Sequence, residues 1–512
     1  MNSIHNNPKY LEPLKIGNFE LTPLDMFEHV VAFGATGSGK TRACVLPILE
    51  SVLKHFGNDP RQRAALILLD AKGDMGDLAA ECVRRSGRQD KVLVLGDGGN
   101  CWLPIFEQFK GDATAVANFL FETLEDQVAG RGGGDNDSFW YENARRLLYG
   151  AALMAKARYG LELGGLQGFT DSLNLILSVN QSSSDDDEAR EVPEAIKEAI
   201  AEGHRYGRID RLERKDLEAY LRQDVACGNR RTWATIANMG RNYIAQFSQR
   251  HLRALFDASP ELEKLSPEAV IDEGRLLIVS MSPVLYGEAA TPFRVAVKKL
   301  FCERILQRAH LVTDNAEQRL INQIRPILYV MDEFHTTLTL GGRSNDIYFL
   351  DRAREMKCMC LLATQGISAV ASVMHNYSRV EHLLNNCRTK FFFANDCPTT
   401  ADYFQRAAGE VERKVPSIQL QPLPAPAVFR LPNHDFSKNG SYVMSQAVIH
   451  EQRESRHKPE ELRTLPNGTA LVVTKEAKVV RYTRDPALYG GGRPTAPRLS
   501  KKTRRRPKPV PA

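Results

Sequence analysis

The sequence has no run of about 18 apolar residues, so no membrane-crossing helix is expected. Residues 1–25 carry prolines and charges without an apolar core, which speaks against a secretory leader. Cysteine is sparse: nine residues, an odd number, are scattered over 512. That pattern excludes a disulfide scaffold and fits reduced thiols in the cytoplasm. No CxxC or Cys/His spacing supports a zinc site. Cys358 and Cys360, two apart on an expected strand, share a face and read as core packing.

Net charge is nearly absent from the body. The chain sums to +6, but residues 491–512 hold eight Lys/Arg and no acid, which leaves sixty Lys/Arg against 62 acids elsewhere. The basicity therefore belongs to a Pro-rich tail, Arg493 to Ala512, which is expected to be disordered. That tail could hold DNA or an acidic partner, or serve only solubility. With 43% hydrophobic and 25% charged residues, the rest is ordinary globular protein. Its length predicts two to four domains at about 100–200 residues each.

Short apolar runs alternate with helical stretches. His29–Phe33, Ala64–Asp70 and Lys91–Leu95 read as buried strands, the first followed by a helix from about Arg42 to Lys54. The α/β pattern resumes with strands at Leu276–Ser280, Pro326–Met331, Met359–Ala363 and Lys390–Ala394. Helices are expected over 292–310, 346–357 and 366–374. Between these halves the signals are helical, with single helices over 139–157 and 232–256 and polar loops at 130–137 and 181–188. A hairpin signal remains at Ala470–Val473 and Val479–Thr483. The expected fold is one α/β domain with a mainly parallel sheet, interrupted by an all-α insertion. The divisions are a segment 1–28, an α/β domain 29–104 and 264–414, an insertion 105–263, an extension 415–490 and the tail 491–512.

Gly34-Ala35-Thr36-Gly37-Ser38-Gly39-Lys40-Thr41 is a full Walker A loop between a strand and a helix. Such a loop cradles phosphates with its backbone N–H groups and the helix N-terminus. Lys40 would reach the β/γ-phosphates of ATP, and the Thr41 hydroxyl would bind Mg²⁺. The apolar strand Ile327–Met331 ends in Asp332-Glu333. There Asp332 would hold Mg²⁺ and Glu333 would act as general base on water. Leu68-Leu69-Asp70 is a second apolar strand ending in acid, ranked lower because it lacks the paired glutamate. Gln365, closing another strand, could sense the γ-phosphate or position water. Arg352 or Arg354 could reach a neighbour's ATP as an arginine finger.

With these residues in place, the chain resembles type IV secretion coupling proteins of the conjugative-transfer (TraD/TraG) class, within the FtsK/HerA group of RecA-like motors. His29–Gly34 opens the P-loop as in that family, and Asp70-Ala71-Lys72-Gly73-Asp74 resembles its Asp-Pro-Lys-Gly-Glu element, with Ala71 and Asp74 as departures. Phe139-Trp140 with Ala144 and Leu147-Leu148, and the stretch from Thr232 to Phe256, resemble the two ends of its all-α domain. Asp332-Glu333-Phe334, Ala363-Thr364-Gln365, Arg354 eleven residues earlier, and Leu465-Pro466-Asn467-Gly468 match further elements.

The resemblance implies a RecA-like P-loop ATPase working as a homo-hexamer with a central DNA channel. It would recruit relaxase-bound single-stranded DNA, gripped by its backbone, and hand it to secretion-channel proteins. Family members usually carry N-terminal transmembrane helices, whereas here the P-loop begins at residue 34. The expectation is a cytoplasmic protein that meets the inner membrane only through a partner. A related motor in repair, partition or defence, or an adaptor switched by nucleotide, would share much of this pattern.

Overall fold

The structure is a computed structural model describing residues 8–96, 98–128, 137–179, 191–245, 247, 249–256, 260–308, 325–342, 345–422 and 442–485. Its centre is a nine-stranded sheet. In chain order the strands are β1 (Val30–Phe33), β2 (Ala65–Asp70), β3 (Val92–Gly96), β4 (Leu276–Ser280), β5 (Ile327–Met331), β6 (Cys358–Thr364), β7 (Thr389–Phe393), β8 (Thr469–Val473) and β9 (Val479–Thr483). Across the sheet they run β9-β8-β7-β1-β6-β5-β2-β4-β3. The seven strands from β7 to β3 are parallel, and the β8–β9 hairpin is added antiparallel along β7. The central strands are apolar runs rather than alternating ones because both faces are covered.

Side chains alternate between two cores. Val31, Phe33, Ile67 and Leu69 point into one, which continues into the helical insertion through Leu103, Phe106, Leu147 and Leu148. Val30, Ala32, Leu66 and Leu68 point into the other. Helix Leu46–Phe56 and the segment from Tyr10 to Phe27 close that second face. Residues 8–27 are thus a folded cover, with a small antiparallel pair Leu14–Ile16 and Phe19–Leu21 and a helix Pro23–Phe27 capped by Thr22.

The chain leaves the sheet at Cys101–Trp102 and returns at Glu263–Lys264, and these two segments pair in parallel. The N–H of Leu103 also donates to Leu255 O at 2.7 Å. Between them lie helices including Ala113–Val128, Asp137–Tyr159, Gly165–Ser178, Glu194–Arg205, Arg211–Ala219 and Arg230–Ala245.

Several expectations change in detail. The helix after the P-loop begins as a wide turn, Lys40–Val45, in which Leu46 N donates to Thr41 O. Only from Leu46 is it α-helical, and Pro47 in its first turn removes an N–H donor that a tighter start would need. The single helix expected over 232–256 is two, Arg230–Ala245 and Arg250–Phe256. The helix expected over 346–357 ends at Ala353, and a turn over 354–357 follows in which Lys357 adopts φ 58° just before β6. A long hairpin, Glu410–Pro422 with Tyr442–Ser455, has no counterpart in the sequence expectations. The loops placed at 130–137 and 181–188 lie almost wholly outside the described residues, and the basic tail lies wholly outside them. No helix among the described residues is long and apolar enough to cross a membrane.

Candidate nucleotide site

The sheet order determines which residues can meet. β6 lies between β1 and β5, in register Leu362↔Val31 and Leu362↔Met331. The C-terminal ends of three adjacent parallel strands therefore present the P-loop, Gln365 and Asp332-Glu333 along one edge. Ligand crevices of open α/β sheets form at this edge.

The P-loop is tied to both neighbouring strands. Gly34 N donates to Thr364 O at 3.2 Å, and Ala35 N donates to Ala394 O at 2.9 Å. Gly37 and Gly39 take φ of 81° and 90°, a region costly for any residue with a Cβ. Gly34 has no room either, since a Cβ there would strike Ser38 Oγ and come within 2.8 Å of Phe393 Cβ. The C-terminal Leu465-Pro466-Asn467-Gly468 segment packs against the loop: Gly468 N donates to Ser38 O at 3.1 Å. Thr36 and Gly37 are exposed, Ala35, Gly39 and Thr41 half-buried, and Ser38 buried.

Lys40 is buried and turned inward. Its Nζ lies 3.3 Å from Gly34 O and 3.5 Å from Glu333 Oε1. Glu333 Oε1 also accepts from Lys72 Nζ at 2.7 Å. Glu333 sits at φ 47°, a strained backbone for a non-glycine residue worth about 1–3 kcal/mol. Burial pushes its carboxyl up, but the Lys72 hydrogen bond and the Lys40 charge outweigh that and hold it below the usual range. Burial likewise works against the Lys72 ammonium, and Glu333 overcomes it and raises its pKa.

Asp332 is pushed up to about 6, first by burial and then by the neighbouring Glu333 charge. His335 Nδ1 shares a 3.0 Å hydrogen bond with Thr364 Oγ1 and lies 3.6 Å from Glu333 Oε2. It thus bridges the ends of β5 and β6; burial lowers its pKa. Neither Lys72 nor His335 stood among the expected site residues. The lysine lay within a recognised motif element, while nothing in the sequence singled out the histidine.

Asp70, the second-ranked acid, is otherwise engaged. Its carboxylate accepts from the N–H groups of Lys72 (3.0 Å), Gly73 (2.8 Å) and Met75 (2.8 Å). It caps its own loop. Gln365 lies beside Gly34 with its side chain exposed, and its carbonyl accepts from Asn395 Nδ2 at 2.6 Å. Arg354 is at the far end of β6 from all of this. Its Nη1 lies 3.1 Å from Glu28 Oε1, with the side chain 57% exposed. The strand Val30–Phe33 separates Glu28 from the P-loop, so Arg354 does not join its own chain's site. Arg352 stacks on Tyr348, 3.5 Å from the ring centroid.

Three buried oxygens at this edge have no hydrogen-bond partner among the described residues: Ser38 Oγ, Asp332 Oδ1 and Glu333 Oε2. Buried polar atoms are normally satisfied, so these oxygens have capacity left for a bound group or water. A hydroxyl and two carboxylate oxygens beside a cradle of glycines would suit a phosphate chain with a hard cation and water.

Residues 3–245 match the family model described as Type IV secretory system Conjugative DNA transfer. No curated protein matches in sequence. Among solved structures, the chain is similar to the bacterial conjugative coupling protein TrwBdeltaN70 in its unbound monoclinic form. The TM-score is 0.58 at 14% identity, covering 92% of this chain and 88% of that one. It is equally similar to the plasmid coupling protein TrwB in complex with ADP and Mg²⁺, with TM-score 0.58, 14% identity and the same coverage. For TrwB with the non-hydrolysable GTP analogue GDPNP the TM-score is 0.57 at 13% identity, over 92% and 89%. At such identities the likeness is one of fold. Residues 3–245 therefore match the conjugative DNA transfer family of type IV secretory systems, and the chain as a whole has the fold of the conjugative coupling protein structures.

Proposed function

We propose that this chain is a Mg²⁺-dependent P-loop ATPase that drives DNA toward a type IV secretion apparatus. The observation that carries the reading is the meeting, at one sheet edge, of the glycine-rich loop, Lys40 and Asp332-Glu333 with three partnerless oxygens. The TrwB structures holding ADP and Mg²⁺ or a nucleotide analogue support nucleotide as the ligand.

In this reading the N–H groups of Gly34 to Thr41 hold the phosphate chain, and Lys40 exchanges its contact with Glu333 for the β/γ-phosphates. Thr41 and Asp332 hold Mg²⁺, which neutralises phosphate charge. Glu333 takes the proton of the attacking water at its free Oε2. Gln365 positions that water or senses the γ-phosphate. Arg354 serves the site of a neighbouring copy in a homo-hexamer, stabilising charge on the transferred phosphoryl group. The substrate is relaxase-bound single-stranded DNA gripped by its phosphates, with relaxase and channel proteins as partners and the membrane met through them.

ATP hydrolysis measured with and without single-stranded DNA tests this. Turnover stimulated by DNA, and abolished by Lys40→Ala and by Glu333→Gln, is the expected result. Turnover unchanged by both substitutions would sink the enzyme reading, and turnover indifferent to DNA would favour a protein cargo.

A further inference from the structure

Glu333 needs something to hold it. Its backbone is strained, its carboxylate is buried, and the acid next to it is Asp332. A buried carboxylate with no cation beside it is expensive, and a like charge alongside makes it worse. Two ammonium groups face Oε1, Lys72 at 2.7 Å and Lys40 at 3.5 Å. Lys40 belongs to the phosphate loop and is committed to the nucleotide in the reading above. Lys72 is the cation that can stay.

Its loop is built to stay. Asp70 accepts three N–H groups from the loop, including that of Lys72 itself. Gly73 turns at φ 79° against Ser282, where a Cβ would come within 2.8 Å of the Ser282 Cβ. From below, buried Arg294 donates through Nη1 to Ala71 O at 2.7 Å and to Met281 O at 3.0 Å, and through Nη2 to Thr291 Oγ1 at 3.2 Å. The carbonyl next to Lys72 is thereby fastened to helix Ala290–Gln307 and to the end of β4.

We propose that Lys72 is a positioning residue for the hydrolytic step: it holds the Glu333 carboxylate by Oε1 and leaves Oε2 for water. Lys72 touches no phosphate in this role. This rests on the ATPase reading, in which Glu333 is the base.

The test is steady-state ATP hydrolysis by the full chain carrying Lys72→Met or Lys72→Arg. Lys72→Met lowers kcat by about a hundredfold, the scale of a lost general base, with KM for ATP within about twofold. Lys72→Arg, which keeps a cation at that reach, recovers a large part of it. A rise in KM with kcat kept would make Lys72 a nucleotide ligand, a rise in kcat would make it an inhibitory clamp, and no change would make it a bystander. Each of these overturns the proposal, as does an arginine variant as slow as the methionine one.

A second measurement needs no turnover, so it separates this proposal from the ATPase reading. In thermal unfolding, the Lys72→Met, Glu333→Gln double variant loses less melting temperature than the two single losses added, as expected for a real pair. Additive losses overturn the proposal even if hydrolysis is found, and a missing wild-type turnover beside a clear coupling sinks the ATPase reading alone.

Discussion

The backbone N–H of Gly468 donates to the carbonyl of Ser38, 3.1 Å away, so a segment near the far end of the chain braces the phosphate loop. Gly39 has no space beyond its own hydrogen: a Cβ would strike Asn467 Oδ1 and come within 2.9 Å of Gly468 N. Gly39→Ala combines that clash with a left-handed backbone, a strain of about 1–3 kcal/mol. We expect nucleotide affinity, read with a fluorescent ATP analogue, to fall by about tenfold or more. Unchanged affinity would mean that the brace does not shape the loop.

The pH dependence follows from Asp332, whose carboxyl is pushed up to about 6 from an ordinary 3.8. Between these values the folded chain holds the proton that the unfolded chain releases. Stability without metal therefore falls as pH rises through this window, and the loss is complete above about 6. Asp332→Asn removes the cost. At pH 8 without Mg²⁺ this variant should melt higher than the parent, by up to about 3 kcal/mol of stability, and should not hydrolyse ATP. A lower melting temperature would show that Asp332 is a structural acid.

Substitution of Asp70 should act the other way on stability. All three of its contacts are loop N–H groups. In Asp70→Asn one carboxylate oxygen becomes an NH₂ facing a backbone donor, at a cost of about 1–3 kcal/mol. Calorimetry should show a clear drop in melting temperature, while the Mg²⁺ concentration giving half-maximal turnover stays where it was. A large shift in that concentration would move the metal to Asp70.

Much of the site was legible because its chemistry is local. Gly34 to Thr41 and Asp332-Glu333 are contiguous, and each follows an apolar run that reads as a buried strand. The ranking of Asp332 over Asp70 rests on a neighbour, Glu333; in the structure the Asp70 carboxylate accepts from three loop amides. Long-range contacts were not legible. Lys72 meets Glu333 only because β2 and β5 are adjacent, and His335 meets Thr364 only because β5 and β6 are. The cover formed by Tyr10 to Phe27 was missed for a similar reason, its strands being three residues each and too short to show a period. The wide turn at Lys40–Val45 and the break after Ala245 are adjustments within apolar patterns that look continuous.

Arg354 offers a test by mixing. Its side chain is more than half exposed and its ion pair with the half-buried Glu28 contributes little, within about 1 kcal/mol, so Arg354→Ala should leave the melting temperature almost unchanged. Its turnover should nevertheless fall steeply. Mixing Arg354→Ala chains, whose own sites are intact, with Lys40→Ala chains, whose arginine is intact, should restore part of the activity. No recovery at any ratio would argue against a donated arginine and reopen Arg352.

Strand β6 spans seven residues, about 23 Å at 3.3 Å each. It has Gln365 beyond one end and Arg354 before the other. A strand buried in mid-sheet is among the stiffest spacers a protein has. If Gln365 senses nucleotide and Arg354 serves a neighbour in a ring, as proposed above, what is registered at one nucleotide would be passed, with little slack, to the arginine offered to the next. The timing of successive hydrolyses would then be written into the length of a single strand.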